Sequence, residues 1–194
     1  MLKEMRSRTR RHDRWVDVIV VAVVVAALFL GWKVKAAAEN RTALYEAEGL
    51  KLRYPAGWVR AEVKPPSLLQ VEDHMAKGFA TQLVAQRRPL PGALAKPLAA
   101  AQQSLALERG RLWNAYRELG VEEAVSVAGH MGMHVTFAYV ETHPDPFLEN
   151  LPMVVRGEDY IFAQEGEAYI FTLAASEANY GRAHQALLAL VGSW

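Results

Sequence analysis

The residues best suited to chemistry lie close together in the middle of the chain. His130-Met131-Gly132-Met133-His134 offers two imidazoles and two thioethers, a donor set that suits copper. On an extended strand His130 and His134 share a face, about 13 Å apart at ~3.3 Å per residue. One ion needs its ligands about 2 Å away, so a shared metal requires the segment to fold back at Gly132. The alternative is a glycine turn with Met133 in the core and both histidines exposed. Acid–base work would need a carboxylate of raised pKa. The acidic pairs Glu122-Glu123 and Glu158-Asp159 are read as strand ends. Neighbouring side chains on a strand point to opposite faces, so neither pair forms one shared site. Both are expected to be solvated edges. His143-Pro144-Asp145-Pro146 sits in a proline-fixed loop from Thr142 to Pro152, an ordinary connection or a docking element. Arg87-Arg88 is a possible contact for lipid headgroups or an acidic partner. His184 is placed at the border of an apolar helix face. Trp58, Trp113 and Trp194 are read as core or boundary aromatics, with Trp194 alternatively packing on a partner.

Other chemistry is removed by what the sequence lacks. There is no cysteine, hence no disulfide, thiolate site or cysteine nucleophile. Neither G-x-G-x-x-G nor G-x-x-x-x-G-K-[ST] occurs, and G-x-S-x-G and H-E-x-x-H are absent too. The expectation is a protein that is not an enzyme and holds no cofactor. No metal is assigned, and His130 and His134 stand only as weak candidates.

Charge is distributed unevenly. Residues 1–14 hold Lys3, Arg6, Arg8, Arg10, Arg11 and Arg14 against Glu4 and Asp13. The rest of the chain carries 16 basic and 19 acidic residues, a poor match to nucleic-acid phosphates, so no nucleic-acid partner is expected. Val18 to Trp32 is an uncharged apolar run, and Trp15 and Trp32 flank it as interfacial aromatics. A bilayer core of ~30 Å needs about 20 helical residues. The sequence thus divides into a cytoplasmic basic tail (1–14), a transmembrane anchor helix (15–34), a linker (35–41) and an extracytoplasmic domain (42–194). Basic residues stay on the cytoplasmic side, which makes this a single-pass protein of a bacterial cytoplasmic (inner) membrane with its C-terminal domain outside. A cleaved signal peptide is the competing reading, through the A-x-A pattern at Ala36-Ala37-Ala38. Lys33 and Lys35, ahead of that pattern, favour the uncleaved anchor.

The elements of the outer domain follow from periodicity. Leu44–Ala47 and Leu50–Tyr54 read as a hairpin about Glu48-Gly49, with Leu50, Leu52 and Tyr54 alternating against Lys51 and Arg53. Strands are expected at 58–63, 68–72 and 79–86. A helix starting near Pro97 carries a stripe of Leu98, Ala101, Leu105, Leu112 and Tyr116. Strands follow at 122–128 and through Met133, Val135, Phe137 and Tyr139. The apolar runs Val154-Val155 and Tyr160–Ala163 are split by Gly157, and Tyr169, Phe171 and Leu173 alternate in a last strand. Ser176 is a candidate N-cap for a closing helix with Tyr180, Ala183, Leu187 and Val191 on one face. The order implies an α+β domain with a largely antiparallel sheet.

Two ends of this domain resemble a known family. Tyr45, Gly49, Leu50 and Leu52, then Tyr54-Pro55-x-Gly57-Trp58, are similar to the opening of PsbP-like domains. Val155-Arg156-Gly157, Gly166-x-x-Tyr169-Ile170-Phe171-Thr172-Leu173, Ala174 and the closing Gly192-Ser193-Trp194 resemble their ending. Gly129-x-x-Gly132, as a turn before a strand, also fits. The resemblance spans residues 42–194. It implies an antiparallel sheet with helices on both faces, the PsbP-like sandwich. It also implies a non-enzymatic accessory role in stabilising or assembling a larger integral membrane protein complex, respiratory or photosynthetic in type. The lipid bilayer is the other partner, through residues 15–34. An extracytoplasmic ligand- or metal-binding module is the alternative function.

Overall fold

The computed structural model describes residues 2–39, 41–47, 49–90, 96–142 and 152–194; the side chains of residues 2–17, 38 and 39 lie outside that description. The 143–146 motif and most of its loop therefore fall outside the described residues. The chain forms two compact units, residues 1–41 and 42–194.

The first unit is one helix, α1 (Leu2–Glu39). Its stretch Val18–Ala37 is long and apolar enough to cross a membrane. An uncapped run of valine, leucine and phenylalanine on all sides of a helix has no amphipathic face with which to join a soluble core. The helix continues without a break into the segment expected as a linker.

The second unit begins with a hairpin of β1 (Thr42–Ala47) and β2 (Leu50–Pro55), which pair antiparallel from Thr42↔Pro55 to Ala47↔Leu50. Next come β3 (Val59–Arg60), β4 (Ser67–Asp73), β5 (Thr81–Pro89) and α2 (Pro97–Leu112). Four long strands follow: β6 (Asn114–Val127), β7 (His130–Glu141), β8 (Met153–Gln164) and β9 (Glu167–Ser176). The domain closes with α3 (Glu177–Val191). Seven strands make one fully antiparallel sheet in the order β3-β4-β5-β9-β8-β7-β6. Two-residue hairpins of type I′ need a left-handed backbone at both turn positions. Ala128-Gly129 supplies it at φ 52° and 87°, and Glu165-Gly166 at 52° and 80°.

The two faces of the sheet are covered differently. Leu187, Leu190 and Val191 of α3 pack with Tyr45, Leu50 and Leu52 of the hairpin over Leu83, Phe162, Phe171 and Leu173. On the other face Ala101 and Leu105 of α2 cover Met133, Val135, Ile161 and Ile170. The result is an α+β sandwich with an antiparallel sheet between helices, as the sequence implied. Strand β9 lies beneath both layers, and its residues from Ile170 to Ser176 are all buried. Its alternation is therefore between two cores rather than between core and solvent.

Several element boundaries differ from the sequence reading. The 58–63 strand shrinks to Val59–Arg60. Helix α2 stops at Leu112, and Tyr116 lies in β6 instead of on the helical stripe. Trp113 turns extended (φ −109°, ψ 134°) and stacks on Tyr139 with ring centroids 4.3 Å apart. That aromatic packing outweighs the modest helical preference of the segment. β6 starts eight residues earlier than expected. β8 runs unbroken through Gly157, because the Phe137 ring crosses that position: a Cβ there would sit 2.2 Å from it. Gly132, taken as a turn, is likewise inside β7, where a Cβ would come within 2.5 Å of the Ile161 carbonyl oxygen. Ser176 occupies the N-cap of α3 but makes no capping bond; its hydroxyl accepts from Asn179 Nδ2 at 3.0 Å.

Candidate functional site

The largest departure from the sequence reading is the pair Glu158-Asp159. Expected on a solvated strand end, both residues lie in mid-β8 and are 1% exposed. Because they are adjacent on a strand, they face opposite layers, and each meets its own partners.

Glu158 points to the α3 side. Its Oε2 lies 3.0 Å from His134 Nε2 on β7, and its Oε1 lies 2.5 Å from His184 Nδ1 on α3. His134 stacks on its register partner Tyr160, centroids 4.6 Å apart. Burial alone would raise the Glu158 pKa; the two imidazole contacts outweigh it and hold the carboxyl below its ordinary value. Burial, together with the Glu158 charge, pushes the Tyr180 phenol up to about 12. The Arg156 guanidinium lies 4.1 Å over the Tyr180 ring.

Asp159 points to the α2 side. It accepts hydrogen bonds from both terminal nitrogens of Arg109, one at 2.8 Å, and from the Thr172 hydroxyl at 2.6 Å. Thr172 is the cross-strand partner of Asp159, so register places it there. Arg109 is 5% exposed. Its guanidinium lies 4.4 Å over Phe137 and 4.9 Å over Trp113. Burial works against the Arg109 charge, but the Asp159 carboxylate outweighs it and raises the guanidinium pKa.

Two consecutive acids in a central strand thus latch both helix layers to the sheet. Further polar contacts join the same layers. Gln102 donates to Glu118, Arg88 pairs with Glu108 at 2.6 Å, and Arg182 pairs with Asp73 at 3.1 Å. Each oxygen of the two buried carboxylates is engaged, and the nearby phenols hold their protons at neutral pH. Among the described residues this arrangement leaves neither buried carboxylate as a free base.

The two metal candidates stand apart. His130 and His134 share a face of β7, but the strand is extended through Gly132. His130 lies against Trp194, centroids 4.4 Å apart, while His134 is held by Glu158. Among the described residues no group of three or more His, Asp or Glu is placed to hold a metal ion. Trp194 packs on its own domain, against Phe162, Tyr169 and Phe171. Glu122-Glu123 is exposed on β6, as expected. Arg87 contacts Glu167 at 3.4 Å. His184, expected as a boundary residue, is the α3 end of the Glu158 contact.

No protein-family model and no curated protein matches the sequence. The fold does match: 24 chains of solved structures resemble it. Cyanobacterial PsbP (CyanoP) from Synechocystis is 14% identical, with a TM-score of 0.52 over 78% of this chain and 90% of that one. The Ran-binding protein Mog1p of Saccharomyces cerevisiae is 13% identical, with a TM-score of 0.48 over 79% and 94%. LpqN of Mycobacterium tuberculosis, involved in cell envelope biogenesis, is 13% identical, with a TM-score of 0.48 over 77% and 87%. The likeness to CyanoP establishes a shared α/β/α sandwich. A fold this widely used does not fix a function.

Proposed function

We propose that the chain is a single-pass membrane protein whose outer domain is a non-enzymatic interaction module. In this reading it is an accessory subunit that stabilises or helps to assemble a larger membrane complex. The observation that carries the reading is the apolar span Val18–Ala37, in a chain whose second unit pairs its buried acids Glu158 and Asp159 internally. Six basic residues before the span favour a cytoplasmic N-terminus and an outer domain beyond a bacterial inner membrane. The PsbP-like ends of the sequence favour an accessory role, and the shared sandwich fold is compatible with it. Tethering raises the effective concentration of a weak docking surface for neighbours in the same membrane. The test is the native size of the protein extracted in mild detergent at its natural expression level. A discrete assembly larger than the monomer, with fixed stoichiometry, is expected. A protein that runs alone would overturn the proposal.

A further inference from the structure

An apolar cleft opens between the start of α2 and the β6–β7 hairpin, with a volume of about 370 Å3. It exists for local reasons. The β6–β7 register shifts between Glu122 and Val125, where Ala124 takes φ 61°, the irregularity of a β-bulge. The wall residues Ala99, Ala124 and Ala163 are too small to fill the gap. Leu98 and Met133 form its apolar sides, and Met131, 59% exposed, stands at its border. None of these wall side chains offers a hydrogen bond. The charged lining groups are Lys96 and Glu123, both exposed and 3.5 Å apart.

We propose that this cleft binds the alkyl chain of a fatty acid, with the carboxylate at Lys96. The volume falls within the roughly 300–1,000 Å3 of small-molecule clefts. At roughly 30 Å3 per small group, the volume of a water molecule in the liquid, it takes about a dozen methylene-sized units. A wall of mostly apolar side chains favours an alkyl chain over a polar ligand. Flexible methionine side chains adapt to a chain that has no fixed shape. The Lys96–Glu123 contact is exposed, so exchanging Glu123 for a ligand carboxylate costs little. This binding does not depend on the accessory-subunit reading, and either can fail alone.

The test uses the full chain in nanodiscs of deuterated lipid, with 13C-methyl methionine and a spin-labelled dodecanoic acid. Met75, 89% exposed on the β4–β5 turn, is the internal control. Saturable broadening of the Met131 and Met133 methyl signals is expected, with Met75 unchanged. Ala99→Phe and, separately, the exposed-site change Ala163→Phe should abolish it without moving the Met75 signal. Lys96→Gln should weaken the acid by roughly two- to fivefold, the scale of an exposed ion pair. It should leave a spin-labelled dodecanol unaffected. Equal broadening of all three methionines, no broadening, or binding that survives both filling substitutions overturns the proposal.

Discussion

Asp159→Ala should be among the most damaging single changes in the domain, and its partner change should largely repair it. The substitution strands the Arg109 guanidinium, 5% exposed, without its carboxylate. Thr172 can still accept one bond, at 3.0 Å, and the Phe137 and Trp113 rings still flank the charge. Neither replaces a bidentate anion. Breaking a buried pair from one side costs roughly 3–5 kcal/mol. At about 2–4 °C per kcal/mol for a domain of this size, the melting temperature should fall by about 6–20 °C. Removing both charges is different, because the desolvation cost of each ion disappears with the ion. Asp159→Leu with Arg109→Met should lie within about 2 kcal/mol of the native protein, on either side of it. The assay is thermal unfolding of the full chain in detergent, followed by near-ultraviolet circular dichroism, to which the Trp113–Tyr139 stack contributes. A single substitution that costs under about 1 kcal/mol would refute the reasoning. So would a double substitution no more stable than the single one.

Three further outcomes follow from the same structure. Glu158 has a folded pKa below its ordinary 4.5, so the unfolded chain binds the proton more readily. Its contribution is present above the ordinary value of 4.5 and is lost as the pH falls through the lower folded value; Glu158→Gln should therefore flatten the acid limb of the melting-temperature profile. Gly157→Ala puts a methyl group 2.2 Å from the Phe137 ring and 2.8 Å from the Leu173 carbonyl oxygen. A loss of about 1–3 kcal/mol is expected in the same melts, and a neutral result would mean that β8 can shift. Trp194→Ala removes contacts to Phe162, Tyr169 and Phe171 and should lower stability without a partner present, by up to about 3–5 kcal/mol.

The sheet was largely legible because its strands announce themselves. Leu50, Leu52 and Tyr54, and Met133 through Tyr139, alternate at period two, and the register agrees with that pattern. The glycine turns at 129 and 166 also stand where two-residue hairpins need them. The missed features share one cause, which is contact between residues distant in sequence. Trp113 ends α2 because Tyr139 and Phe137 are waiting across the sheet. Gly157 looks like a break until Phe137 is placed over it. Glu158 and Asp159 looked like a solvated edge because local reading expects acids in water. A clue was present: Arg109 continues the stripe of Leu98, Ala101 and Leu105, and His184 follows Ala183 on the buried side of α3. Charged side chains on two apolar helix faces call for buried counter-charges, and Glu158 and Asp159 lie between the apolar runs Val154-Val155 and Tyr160–Ala163.

The proposed membrane anchor stands or falls with Val18 through Trp32. Native membranes washed with alkaline carbonate, followed by intact-mass measurement, test it directly. The full-length chain with its N-terminal segment attached should stay in the pellet. A protein released into the wash, or one whose mass begins at Glu39, would contradict the anchor and with it the tethered role.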